Sequence, residues 1–170
     1  MKLLVIAAIV VANFIVQSTI IPHIGIAGVE PNTLIAIVVS LSLLDGSFVG
    51  AVAGFFGGLL QDIFFSGALG INALIYLLIG WSVGLAHGKV FSERFFMPVL
   101  FIFVSTAIYE LYMLIVIFFY RYDINIYHTF MRLILPGGIY TSILGAIIYN
   151  YTFKLYKHKF MERKWLFIKS

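Results

Sequence analysis

The chain has 170 residues, of which 62% are hydrophobic, 11% are charged and none is cysteine, with a mean hydropathy of +1.08. A soluble domain carries about 25% charged and about 45–50% apolar residues, and disorder needs low hydrophobicity with high net charge, so both are excluded. The net charge of +4 sits in a tail: residues 154–170 hold six Lys/Arg and one acid, and the remainder of the chain is −1, a poor footprint for a nucleic-acid partner.

Residues 3–21 form the first apolar run, with Asn13 and Gln17 as its only strongly polar side chains. A bilayer core about 30 Å thick needs roughly 20 apolar residues in a helix, so the run is of span length. Lys2 precedes it, but no small-x-small pattern follows before Pro22, and the run reads as an uncleaved span rather than a signal peptide. Residues 33–44 are a second, shorter run. It reaches span length if it begins near Ile26 and takes Pro31 into its first turns, where proline is tolerated. Asp45-Gly46 breaks it. Residues 47–65 form the third run, with Gln61 and Asp62 near its end, and residues 67–70 mark a turn. Residues 71–86 form the fourth run and residues 87–94 are polar. Residues 95–119 form the fifth, interrupted by Glu110, and residues 120–128 are a tyrosine-rich loop. Residues 129–153 form the sixth, with Arg132 near its start and an expected kink at Pro136-Gly137-Gly138. None of these runs alternates apolar and polar residues as β-barrel strands do. The expectation is an all-α, polytopic bundle of six transmembrane helices, one domain over residues 1–153 with a basic tail at 154–170.

Six spans put both termini on one side. That side carries Lys2, Lys89, Arg94 and the six tail charges, nine in all, against Arg121 and Arg132 on the other. Lys and Arg are retained on the cytoplasmic side. Both termini are therefore expected in the cytoplasm, with membrane lipid as a partner of the tail. Tyr109, Tyr112, Tyr120, Tyr122 and Tyr127 gather at the outer end of the fifth span, where amphipathic rings favour the headgroup level.

Gly46, Gly50, Gly54 and Gly58 recur every four residues through the third span, and Gly80, Gly84 and Gly88 repeat the spacing in the fourth. Ala8 and Ala12 make a small-xxx-small pair in the first. In lipid, small residues let helix backbones approach closely. These faces serve either packing within the bundle or docking of another membrane protein.

An ionisable residue inside a span is costly and is a functional hypothesis by default. Asp62, Asn72 and Arg132 fall near the outer boundary and are expected to meet in one polar cluster, either a ligand or partner site or a buried pair that fixes helix register. Glu110 lies nine residues below Phe119, about 14 Å deep at 1.5 Å per residue. It is expected near the midplane, protonated or hydrogen-bonded to Thr106 or Thr141. Catalysis has little support. The chain has no HExxH and no GxSxG, no span carries Ser and His together, and the four histidines (His23, His87, His128 and His158) have no ligand-like spacing. No metal, cofactor or catalytic residue is expected.

Pro31-Asn32-Thr33-Leu34 leads into the second span and Asp45-Gly46 ends it. Then follow Gly50-x-x-x-Gly54-Phe55-Phe56-Gly57-Gly58-Leu59-Leu60-Gln61-Asp62, Ser66-Gly67-Ala68-Leu69-Gly70-Ile71-Asn72-Ala73-Leu74 and Tyr76-Leu77-Leu78-Ile79-Gly80-Trp81. This order, over roughly residues 31–84, resembles the bacterial rod shape-determining protein family MreD. The resemblance implies a small polytopic inner-membrane protein of the cell-elongation machinery. It implies partners of the MreC type, the actin-like MreB, a RodA-type glycosyltransferase and a class B penicillin-binding transpeptidase. It also implies a non-enzymatic scaffold or regulator of side-wall peptidoglycan synthesis, with a fold similar to the substrate-binding subunits of energy-coupling factor transporters. The Ala8-x-x-x-Ala12 pair is similar to the motif those subunits use to dock their coupling protein. A vitamin-capturing subunit of such a transporter is the alternative function, and an intramembrane enzyme a distant third.

Overall fold

The computed structural model describes residues 2–25, 29–66, 69–88, 96–119 and 135–156. The described segments form seven helices and no strand: α1 (Lys2–Thr19), α2 (Ile21–Ile24), α3 (Thr33–Asp45), α4 (Ser47–Gln61), α5 (Ile71–Gly84), α6 (Phe96–Phe119) and α7 (Leu135–Tyr156). α4 continues into a π-helical turn, Asp62–Ser66. Each of the six apolar runs holds a long helix, and α2 is a single turn after α1 that accepts Pro22 at its start. The tail beyond residue 156, the loop at 120–134 with Arg132, and residues 89–95 lie outside the described residues.

The second run does not begin near Ile26. Asn32 is non-helical and caps α3, its side chain accepting the Ile35 N–H at 3.2 Å, and Pro31 stays outside the helix. An Asn cap removes one of the unpaired donors at a helix start. The resulting helix has 13 residues, about 20 Å long at 1.5 Å per residue, too short to span hydrocarbon alone. Its place in the bundle explains the tolerance. All residues from Thr33 to Leu43 are buried, and α3 packs against α1, α4, α5, α6 and α7. A helix apolar all round belongs in a core. The polar side chains Ser40 and Ser42 are satisfied locally, donating to the carbonyls of Ala36 and Val38 at 2.6 Å each.

Around this axis the helices alternate in direction. Lys2 at the start of α1 meets Asp45 at the end of α3 at 2.5 Å, while Gln17 near the end of α1 meets Thr33 at the start of α3 at 3.1 Å. Tyr109 and Tyr112 of α6 bond to Asn72 and Ile71 at the start of α5. The bundle thus has two ends, one at Lys2, Asp45 and Tyr156, the other at Gln17, Asn32, Gln61 and Asn72.

α4 and α5 form the closest pair. A Cβ on Gly58 would lie 2.7 Å from the backbone of Ala73, and one on Gly54 would run into the Tyr76 carbonyl. Gly80 faces the Gly50 carbonyl, and Gly84 faces Ser47. The glycine spacing therefore sets a backbone-on-backbone hairpin, with Gly50, Gly54, Gly58, Gly80 and Gly84 all turned into it. Gly88 meets nothing within 4 Å and is not part of it.

Outside α3, every long helix exposes bulky apolar side chains, among them Leu4, Ile15, Phe56, Trp81, Phe119 and Ile143. Apolar surface of this extent is rare on soluble monomers. Ser47–Phe65 and Phe96–Phe119, 19 and 24 residues long, are long and apolar enough to cross a membrane; Leu4–Thr19, Thr33–Asp45 and Ile71–Gly84 are shorter apolar helices.

Candidate functional site

A cavity of about 470 Å³ opens at the Gln17 end of the bundle. Its polar lining comes from five segments: Gln17 of α1, Glu30 and Asn32 before α3, Gln61 of α4, Asn72 of α5 and Tyr109 of α6. Pro22, Phe65 and Met113 supply apolar wall. Four carboxamides converge here because α1 and α4 end, and α3 and α5 begin, at this level.

The floor is a hydrogen-bonded lattice. Asn32 donates from Nδ2 to the Tyr76 hydroxyl at 2.6 Å, and its backbone N–H donates to Thr141 Oγ1 at 3.0 Å. The Tyr76 ring stacks on Tyr109, centroids 5.1 Å apart at 17°. Tyr109 donates to Asn72 Oδ1 at 2.9 Å. Gln17 Oε1 accepts from Thr33 Oγ1. Asn32, Asn72, Tyr76 and Thr141 are all buried. In a low-dielectric interior such a lattice fixes geometry, because each unmade bond leaves a polar group stranded. Gln61 is 8% exposed and lines the cavity, and neither of its side-chain polar atoms is both buried and unsatisfied.

Asp62 sits beside the cavity and serves the α4–α5 hairpin. Its carboxylate accepts N–H groups from Gly70 at 2.9 Å and from Asn72 and Ala73 at 3.0 Å each. Those amides are the unpaired donors at the start of α5, and a carboxylate is favoured there by the helix dipole as well. Gly70 makes the turn at φ 99°, a conformation glycine adopts without a Cβ penalty. Of the expected outer cluster, Asp62 and Asn72 meet: the Asn72 backbone bonds the Asp62 carboxylate. Arg132 lies outside the described residues.

Glu110 lies nine residues before Phe119, the end of α6. Its neighbours Tyr109 and Tyr112 bond to Asn72 and, at 3.2 Å, to the Ile71 carbonyl, so it lies level with the first turn of α5. α6 runs more than two turns past that level, which the sequence could not reveal because the ends of adjacent spans need not align. Nor does Glu110 pair with the expected hydroxyls: Thr106 donates to Ile102 O at 2.9 Å, and Thr141 receives Asn32. Tyr109 and Tyr112 turn their hydroxyls onto the start of α5. Ala8 and Ala12 are exposed on α1.

At the opposite end, Asp45 accepts Lys2 Nζ at 2.5 Å and the Tyr156 hydroxyl at 3.2 Å, and the ammonium lies 5.6 Å from the Tyr156 ring centre. His87 donates from Nδ1 to the Leu43 carbonyl at 2.7 Å. These contacts tie α1, α3, α7 and the end of α5 together. No group of three His, Asp or Glu able to hold a metal occurs among the described residues.

The family model described as rod shape-determining protein MreD matches residues 1–159. The chain belongs to the MreD family. The family is a membrane protein family of the rod shape machinery, so this chain is a component of cell-shape determination. No curated protein and no solved structure matches the chain. The motif by which it resembles the family coincides with the hairpin just described. Gly54 and Gly58 admit α5, Asp62 caps it, Gly70 turns into it, Ala73 packs on Gly58, and Asn72 holds α6.

The sequence pointed to Asp62 and Asn72 but passed over Gln17, Gln61, Glu30 and Tyr109 as a group. The signal was present: four carboxamides at the same ends of otherwise apolar runs. It becomes a site only once the ends of α1 and α4 and the starts of α3 and α5 are seen around one cavity. The Lys2–Asp45–Tyr156 contact had no local signal, since its members are 43 and 111 residues apart.

Proposed function

We propose that the chain is a non-enzymatic scaffold of the bacterial cell-elongation complex. It sits in the inner membrane and organises side-wall peptidoglycan synthesis. The observation that carries this reading is the family match over residues 1–159. In this reading all six main helices cross the membrane, the short α3 inside a collar of lipid-facing neighbours and the short α5 with one face on lipid. Both termini face the cytoplasm, supported by the nine-to-two distribution of Lys and Arg. Residues 1–153 form the transmembrane domain, and the basic tail at 154–170 lies against anionic lipid. The likeness to the substrate-binding subunits of energy-coupling factor transporters is supported by the six-helix order alone. A vitamin-capturing role has no support in the family match.

MreC-type, RodA-type and class B penicillin-binding transpeptidase partners dock laterally in this reading, and the actin-like MreB meets the cytoplasmic end. The glycine stripe is unavailable for docking because α4 and α5 occupy it. The exposed Ala8 and Ala12 remain the small-residue face open to a partner helix. The test is depletion of the chain in its host with complementation by the wild type. Depleted cells are expected to become round with wall insertion no longer confined to the side wall. Depleted cells that stay rod-shaped would refute the proposal.

A further inference from the structure

α1 and α4 run side by side in the same direction. Lys2 at the start of α1 meets Asp45, just before α4 begins. Phe14 meets Phe64 and Phe65, just past the end of α4, with ring centroids 5.0 and 5.7 Å apart. Between these two points the pair does not close. A furrow of about 400 Å³ runs along it from Ile6 to Ile63, and every described side chain that lines it is aliphatic or aromatic. Its floor is core: Ile6, Val10 and Ala53 are buried against α3. Its walls, Ala7 on α1 and Phe56 and Ile63 on α4, are exposed. A buried water needs polar partners, which this lining does not offer, so hydrocarbon fills the furrow. The shape selects the hydrocarbon. A helix is about 10 Å across, and a helical segment as long as the furrow is a cylinder of more than about 1,000 Å³. A partner helix would rest on the walls without reaching the floor, whereas a single extended chain fits between them. The length agrees. Lys2 to Phe14 is about 18 Å at 1.5 Å per residue, against about 15 Å for half a bilayer core. Lys2 stands at the open end with its side chain 25% exposed, and an ammonium has donors beyond the one given to Asp45.

We infer that the α1–α4 furrow is a binding site for one acyl chain of a phospholipid from the leaflet at the Lys2 end, with the phosphate beside Lys2 and the chain end at the Phe14, Phe64 and Phe65 rings. Such a lipid requires the membrane reading above, which puts that leaflet on the cytoplasmic side, but not the role in cell shape. A chain seated on the floor touches Ile6, Val10 and Ala53 as well as both walls. It meets more atoms than a chain lying on a flat helix flank, so this lipid outlasts its neighbours when the protein leaves the bilayer.

The purified full chain is reconstituted in nanodiscs of palmitoyl-oleoyl phosphatidylglycerol, released into detergent and weighed by native mass spectrometry. One phospholipid mass per chain is expected to remain under activation that strips the others. Ala7→Trp, which fills the furrow from an exposed wall, is expected to abolish that adduct. Phe56→Ala lowers the opposite wall, leaves the floor intact and is expected to reduce the adduct several-fold; it carries the test if the bulkier variant fails to fold. Leu78→Trp, on an exposed face of α5 outside the furrow, is expected to retain the lipid as wild type does, which separates a filled site from a general effect of added bulk. The inference is overturned if wild type carries no retained lipid, if Ala7→Trp and Phe56→Ala both keep it, or if Leu78→Trp loses it equally. It is also overturned if the retained mass is a second copy of the chain, or if lipid is retained only after residues 160–170 are deleted, which would put the tail in the furrow. None of these outcomes bears on whether depleted cells lose rod shape.

Discussion

Gly54→Ala tests the packing logic of the bundle with one carbon atom. In lipid, burial of apolar surface gives helices little reason to associate, because the tails are as apolar as leucine; close packing supplies the attraction instead. A Cβ at Gly54 would collide with the Tyr76 carbonyl oxygen, lie 2.6 Å from its carbon and lie 3.2 Å from Leu77 N. All three are backbone atoms of α5, so no side chain can rotate away. Restoring ordinary contact requires the helices to separate by about 1 Å, which loosens the neighbouring contacts at Gly50 and Gly58 too. Overpacking of this kind costs typically about 1–3 kcal/mol, and the rigid partner puts Gly54 at the top of that range. Alanine's better helix propensity returns about 1 kcal/mol. The net expectation is a loss of about 2 kcal/mol.

The assay is thermal stability of the detergent-solubilised protein, read as the fraction remaining monodisperse after heating. Gly137→Ala is the control. That glycine lies in α7 with only Val29 Cγ1 nearby, at 3.4 Å, so propensity dominates and the variant is expected to match or exceed wild type. A Gly54→Ala protein as stable as wild type would show that α4 and α5 have room between them, and the hairpin argument would fail.

Asp62→Ala leaves three α5 amides without their acceptor and is expected to cost about 3 kcal/mol in the same assay, given about 1.5–3 kcal/mol for a hydrogen bond to a charged group; a loss under about 0.5 kcal/mol would rule out the capping role. Asp45→Asn weakens the contact with Lys2, which is partly exposed, and is expected to cost only about 0.5–1 kcal/mol; a loss comparable to that of Asp62→Ala would mean the end of α3 is held more tightly than its exposure implies. A reporter active only in the cytoplasm should be active after Ser170 or at Lys89 and silent between Gly25 and Glu30; activity in that loop would overturn the six-span arrangement.

The helix positions were legible in the sequence because apolar runs and their breaks are local. Asp45-Gly46 ends α3 as read, and Gly46 takes φ 92° there. The start of α3 was misread because the run was extended to satisfy a membrane thickness that a buried helix need not match; Asn32, a good cap directly before the run, was the better local guide. The glycine spacing gave the stripe but not its partner, since a four-residue repeat fits equally well against a neighbour in the chain or a different protein. The sequence also could not show that α6 runs past the start of α5, an offset that the Tyr109 and Tyr112 bonds reveal.

The two kinds of polar residue in this chain answer different physical problems. Asp62, Asn72 and Asp45 lie where helices start or stop, and their described bonds join helix ends to neighbouring helices. Groups of that kind are needed by any bundle that stacks short helices, so they say little about ligands. Gln61 ends a helix too, but the described backbone of that end is already bonded: the Asp62 N–H reaches the carbonyls of Gly58 and Leu59. Its side chain lines the cavity with Gln17, Asn32 and Asn72. The hairpin motif thus accounts for how α4 and α5 fold against each other.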